Sequence, residues 1–161
     1  SLGLFHQSFG TEGLTVNGYF YYCTGGNSSF ASNNTGATGA EFYYCVGKNT
    51  SFAYRNTNND AKFYNCVGGN QSFGANPLSG DLAANALYVN CSAGSIAEQA
   101  AGSSSKFYNC HASIKWTGYS AGNNGLAYNC SFGSFGGQNA PSGTGKYRNC
   151  LDNTFTIVNQ G

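Results

Sequence analysis

Hydrophobic and polar positions repeat along this chain every 20 or so residues, and within each repeat they alternate with the period of two that marks a strand. One phrase, AKFYNC at 61–66, returns in variants around every cysteine: Cys23, Cys45, Cys66, Cys91, Cys110, Cys130 and Cys150. These lie 22, 21, 25, 19, 20 and 20 residues apart. Five residues before each cysteine stands a small residue, as at Gly18, Ala40, Ala61 and Ala86. Next comes a mostly solvent-compatible column, Tyr19, Glu41, Lys62, Leu87, Lys106, Leu126 and Lys146. An aromatic column follows, Phe20, Phe42, Phe63, Tyr88, Phe107 and Tyr147, broken only by Ala127. Beside it run Tyr21, Tyr43, Tyr64, Val89, Tyr108, Tyr128 and Arg148. The alternation predicts a short strand with the aromatic column inward and the lysines and tyrosines outward.

Continued strictly, that alternation puts the next residue inside and cysteine outside. The next residue is Asn65, Asn90, Asn109, Asn129 or Asn149 in five copies and Tyr in two. Asparagine tolerates the left-handed backbone of a sharp bend, so a corner is predicted there. The corner reverses the parity and brings cysteine inside. Stacked asparagine side chains are then placed to hydrogen-bond from coil to coil as a ladder. Small residues follow the cysteine, then a second large apolar one: Phe30, Phe52, Phe73, Ile96, Trp116, Phe135 or Phe155. No window is long enough for a helix. The pattern predicts an all-β fold, a single-stranded right-handed parallel β-helix of about seven to eight coils of ~20–22 residues. Stacking at the strand spacing makes it roughly 35–40 Å long. One such domain is expected over 1–161, either processed or part of a longer chain. An incomplete eighth copy opens the sequence, where QSFG at 7–10 repeats QSFG at 71–74 and Leu2 falls in the cysteine slot. A propeller blade needs twice this length, and a leucine-rich repeat needs its own signature. A strict Thr-x-Thr row is absent too.

Composition refines this. Glycine, asparagine and serine abound, which taken alone suggests disorder, but 12 Phe and 12 Tyr at regular intervals require a core. The net charge of +1 gives no field to attract nucleic acid or an acidic membrane surface. No apolar run approaches the ~20 residues of a membrane span. Neither partner is therefore expected.

Candidate chemistry is sparse. One cysteine per coil, in odd number, fits a buried stack of free thiols better than a disulfide framework, because equivalent side chains on stacked coils run parallel. No CxxC occurs, and His6 and His111 fall in distant coils, so no metal and no cofactor are expected. Catalysis on polysaccharide needs paired carboxylates. The acids Glu12, Glu41, Asp60, Asp81, Glu98 and Asp152 occupy different columns, and an Arg55–Asp60 contact reads as a surface pair. No catalytic residue is assigned and the chain is read as not an enzyme. GNQSFG lacks the Gly-Lys-Ser/Thr of a phosphate loop. Sequons at Asn27, Asn34, Asn49, Asn70, Asn90 and Asn129 are what an Asn- and Ser-rich chain produces by composition.

The outward tyrosines Tyr21, Tyr43, Tyr64, Tyr108 and Tyr128 are the one feature that structure alone does not absorb. They stabilise the face by stacking, or contact another subunit, or bind glycan. Neither end of the sequence shows an obvious cap, which leaves two expectations: the sequence is a segment of a longer protein, or another chain covers the ends through trimerisation, docking on a larger shell or head-to-tail stacking into a fibre.

The recurring FYNCVGGNQSFG and FYYCVGKNTSFA resemble the right-handed parallel β-helix repeats of virion proteins in tailed bacteriophages and related environmental viruses. The likeness extends over nearly the whole chain at the level of the repeat. It implies a rigid structural module, homotrimeric, in a tail spike, a fibre or a capsid-decorating protein. The expected partners are copies of itself, other virion proteins and a host-surface glycan. The expected location is the virion surface or the extracellular space. The lack of a carboxylate cluster departs from spikes that cleave polysaccharide. Two alternatives remain: a carbohydrate-binding or carbohydrate-cleaving spike domain, and an extracellular fibre subunit stacked head to tail.

Overall fold

A computed structural model of the chain describes residues 18–27, 29–30, 39–49, 51–52, 60–70, 72, 86–96, 106–116, 126–132, 146–151 and 157–160. In chain order the strands are β1 (Tyr19–Tyr21), β2 (Glu41–Tyr43), β3 (Lys62–Tyr64), β4 (Leu87–Val89), β5 (Ser92–Ile96), β6 (Lys106–Tyr108), β7 (His111–Trp116), β8 (Leu126–Tyr128), β9 (Ser131–Phe132), β10 (Lys146–Leu151) and β11 (Ile157–Gln160). The fold is an all-β parallel solenoid, with no helix among the described residues.

The repeated phrase forms one face. Strands β1, β2, β3, β4, β6, β8 and β10 stack in that order, parallel and in register. Equivalent columns therefore meet, as Glu41 with Lys62, Phe42 with Phe63 and Tyr43 with Tyr64. The segments after the cysteines form a second face. There β5, β7 and β9 pair in parallel across three successive coils. Earlier coils continue that face as single bridges, Thr24 to Val46, Val46 to Val67 and Val67 to Ser92.

Between the faces lies a corner at the residue before each cysteine. Its φ is positive throughout: 53° at Tyr22 and Asn65, 54° at Tyr44 and Asn90, 52° at Asn109 and Asn129, 53° at Asn149. The bend disrupts no hydrogen bonding. The Asn65 amide donates to Val89 O at 2.9 Å in the next coil, and the Val67 amide to Cys45 O at 2.9 Å in the preceding one.

Side chains inside this frame make two aromatic files. Phe20, Phe42, Phe63, Tyr88 and Phe107 stack face to face with centroids 4.8, 5.1, 5.0 and 4.6 Å apart. That is strand spacing, so in-register pairing and ring stacking reinforce each other. Phe30 and Phe52 form a second file at 4.7 Å, edge-on to Phe42 at 5.8 and 6.1 Å. Both have φ of 56°, a left-handed conformation unfavourable for a bulky residue. Burial of their rings offsets it, and both are fully buried. Gly47 permits this second corner, since a Cβ there would lie 2.5 Å from Ser51 Cβ.

The uncapped ends read from the sequence need correction at the C-terminal side. Strand β11 folds back antiparallel onto β10, with Tyr147 opposite Gln160, Cys150 opposite Val158 and Leu151 opposite Ile157. It occupies the edge where another coil would stack. Tyr147 and Cys150 are consequently as buried as their equivalents in the middle of the stack, whereas Phe20 and Cys23 in the first described coil stay partly exposed. The signal was hidden because IVNQ shares nothing with the repeated phrase.

Candidate functional site

The chemistry-bearing columns are best described one at a time, because each is a line of identical groups along the stack. Asn65, Asn90, Asn109, Asn129 and Asn149 share the corner. The Nδ2 of Asn90 donates to Asn65 Oδ1 at 3.1 Å, that of Asn109 to Asn90 Oδ1 at 3.2 Å, and that of Asn149 to Asn129 Oδ1 at 2.6 Å. These amides are directed along the stack rather than out toward a ligand. In the first two coils tyrosine takes the position, and Tyr22 and Tyr44 stack at 5.1 Å instead.

Cys45, Cys66, Cys91, Cys110, Cys130 and Cys150 are buried free thiols, and Cys23 is partly exposed. Each buried Sγ reaches a main-chain oxygen of the preceding coil, from Cys45 to Phe20 O at 3.5 Å to Cys150 to Ala127 O at 3.6 Å. Such S–H···O contacts and the apolar surroundings hold the file as neutral thiols. Hydrogen bonding with Cys66, then burial, pushes the Cys45 thiol well up, and burial does the same for Cys91. On Cys66, hydrogen bonds with Cys45 and Cys91 act downward, against the burial that raises it. A nucleophilic cysteine needs an exposed, electropositive setting, and the buried members of this file lack the exposure.

Tyr21, Tyr43 and Tyr64 lie face to face with centroids 4.8 Å apart. The stripe is interrupted at Val89, and beyond it Tyr108 and Tyr128 are 6.5 Å apart and tilted by 52°. Tyr43 also donates its hydroxyl to Glu41 Oε2 at 2.5 Å, while Lys62 Nζ donates to Glu41 Oε1 at 2.7 Å. These bonds, Lys62 foremost, hold the Glu41 carboxyl below its ordinary range, and the bond to Glu41 pushes the Tyr43 phenol well up. A general acid needs the opposite shift. The Glu41–Lys62 pair was not read from the sequence, although both residues occupy the same column one coil apart.

A buried serine column was overlooked as well. Ser29, Ser51 and Ser72 have no exposed surface. Ser29 Oγ donates to Gly26 O at 2.7 Å and lies 3.3 Å from Ser51 Oγ, and Ser72 Oγ donates to Lys48 O at 3.4 Å. The recurring Ser-Phe of GNQSFG is the sequence signal, six and seven residues after Cys23, Cys45 and Cys66. His111 Nδ1 lies 2.8 Å from Ser131 Oγ, its column neighbour. No group of three His, Cys, Asp or Glu able to hold a metal occurs among the described residues. Leu2, His6, Glu12, Asn34, Arg55, Phe73, Asp81, Glu98, Phe135, Asp152 and Phe155 lie outside the described residues, as do the side chains of Ile96 and Trp116. Comparison with protein-family models, with curated proteins and with solved structures found no match.

Proposed function

We propose that this chain is a non-enzymatic structural module that assembles with copies of itself on a virion surface, as part of a tail spike, a fibre or a capsid decoration. In this reading it is a right-handed β-helix of seven to eight coils, the hand that nearly all parallel crossovers take. One observation carries the non-enzymatic, structural part: the repeated polar groups bond to the coil next door. Asparagine meets asparagine, buried serine meets serine or a main-chain oxygen, and thiol meets carbonyl. Chemistry devoted to holding coils together suits a rod whose job is rigidity. The virion setting and threefold association follow from the resemblance of the repeats. The test is the mass of the chain in solution together with electron microscopy of its assemblies. Discrete multimers without release of oligosaccharide from host polysaccharide agree with the proposal. Oligosaccharide release abolished by Glu41→Gln or Asp60→Asn overturns it.

A carbohydrate-binding spike domain is the second reading, favoured by one observation. Sugars stack on open ring faces, and the tilted pair Tyr108 and Tyr128 leaves more ring surface uncovered than Tyr43 and Tyr64, which stack at 4.8 Å. Tyr128 is 42% exposed. On that reading Tyr108→Ala abolishes glycan binding while Tyr64→Ala has little effect. The head-to-tail fibre is less favoured, because β11 occupies the edge of β10 that such a fibre requires.

A further inference from the structure

Three phenols share one column of the first face. Tyr21, Tyr43 and Tyr64 are partners in the register of β1, β2 and β3. Their rings lie within 10° and 9° of parallel, with centroids 4.8 Å away on each side of Tyr43. That separation is the strand spacing, so like atoms of neighbouring rings face each other. Tyr21 is exposed and the other two are half-buried, which leaves the column open to solvent. The middle phenol is tied to a base. Tyr43 donates to Glu41 Oε2 at 2.5 Å, and Lys62 Nζ donates to the other carboxylate oxygen at 2.7 Å. The titratable groups around this pair on the neighbouring strands are Tyr19 and Tyr21 on β1 and Lys62 and Tyr64 on β3. Lys62 keeps Glu41 ionised below the ordinary carboxylate range, and Glu41 keeps the Tyr43 phenol protonated beyond its own. At neutral pH an intact phenol therefore faces an ionised carboxylate. Tyr22 and Tyr44 also stack, at 5.1 Å, and are more exposed, but no carboxylate among the described residues accepts from either hydroxyl.

We propose that Tyr43 is an oxidative cross-linking site, at which hydrogen peroxide acting through a haem peroxidase joins its ring to that of Tyr21 or Tyr64, with Glu41 receiving the phenol proton. A phenol that has lost an electron is a strong acid, so its oxidation is easiest where a base already holds the proton; Glu41 is so placed for Tyr43. Each of the two phenols gives up one electron and its hydroxyl proton. The ring carbons ortho to the two oxygens then form a C–C bond, and the hydrogen on each of those carbons moves to restore the hydroxyls. The two electrons and two protons released reduce one hydrogen peroxide to two waters. Stacking in register brings the radical's partner to it, since Tyr43 has a phenol on both sides. The product is a covalent staple between consecutive coils, which constrains the unfolded chain as a disulfide does.

The test is limited oxidation of the full chain by a haem peroxidase with hydrogen peroxide near neutral pH, followed by thiol reduction and peptide mapping by tandem mass spectrometry. The expected product is a single chain lighter by two hydrogen atoms, fluorescent as dityrosine, with Tyr43 joined to Tyr21 or Tyr64. Reduction opens any disulfide, so the cysteine file does not mimic this result. Tyr43→Phe keeps a ring in the stack but leaves Tyr21 and Tyr64 two strand spacings apart, about 10 Å, and is expected to abolish the link. Glu41→Gln keeps a hydrogen-bond acceptor without the base. It is expected to slow the link at least about tenfold at neutral pH, with the rate recovering only toward the ordinary phenol range near pH ~10. The wild-type rate is expected to fall only as pH drops into the depressed range of Glu41. A link that persists in Tyr43→Phe, that joins Tyr22 to Tyr44 instead, or that joins separate chains overturns the assignment. A Glu41→Gln profile matching wild type overturns it too. Mapping the unmodified chain decides the matter without relying on any variant's folding.

Discussion

At the residue scale, each column asks one residue type to satisfy a backbone and a neighbour at once. Asn90 sits at φ of 54°, donates to Asn65 and accepts from Asn109. Asn90→Ala removes both bonds and leaves a Cβ residue in the left-handed region without local hydrogen bonding, a loss of about 1–3 kcal/mol. Asn90→Gly loses the same bonds but relieves the backbone. Urea unfolding is therefore expected to rank wild type above Asn90→Gly and Asn90→Gly above Asn90→Ala; alanine ranking above glycine would mean that the corner conformation costs nothing. The Glu41 cluster makes a pH prediction of definite sign. Its carboxyl is depressed in the folded state, chiefly by Lys62, so its contribution is present above the ordinary carboxylate range and is lost as pH falls below it. Tyr43 is raised by Glu41, so its contribution is present below about pH 10 and is lost as pH rises beyond, where the unfolded chain's tyrosine ionises. Thermal unfolding of Glu41→Gln is expected to show weaker losses at both extremes than wild type. Parallel profiles for the two proteins would contradict this assignment.

At the element scale, a three-residue strand is too short to stand alone, and each one is held by the strands above and below it. Strand β10 has β8 and β9 on one side and β11 on the other. Proline at Val158 restricts the backbone and removes a donor from β11 opposite Cys150. Val158→Pro is expected to make Cys150 react with a thiol reagent while Cys66, in the middle of the stack, stays protected, as read by mass spectrometry of labelled peptides. Protection of Cys150 in that variant would show that β11 does not seal the end. This scale also separates what the sequence reveals from what it hides. The first face was legible because period-two alternation and a repeated phrase report the same strand. The corner was legible at the asparagines, whose side chains suit the left-handed region, but not at Tyr22 or Tyr44. The second corner was hidden: Phe30 and Phe52 occupy φ values that propensity disfavours, and only the ring file they form compensates.

At the scale of the whole molecule, each coil touches its neighbours and stability accumulates along one axis, so the terminal coils decide what the rod joins. Column reading of the sequence captured the stacking order because equivalent residues meet in register. It missed β11, since antiparallel closure depends on a contact that no repeat announces, and it missed the Glu41–Lys62 pair, which exists only once columns are stacked. The polar groups of the candidate ladders face along the rod, and among the described residues Tyr19, Tyr21, Tyr22, Tyr44 and Tyr128 are exposed. On the proposed reading, a rod of this kind acts by assembling. Sedimentation equilibrium of the full chain over a wide concentration range tests that most directly. The expected result is a discrete species at a whole-number multiple of 16.8 kDa, seen as rods by electron microscopy. A single 16.8 kDa particle at every concentration would contradict it.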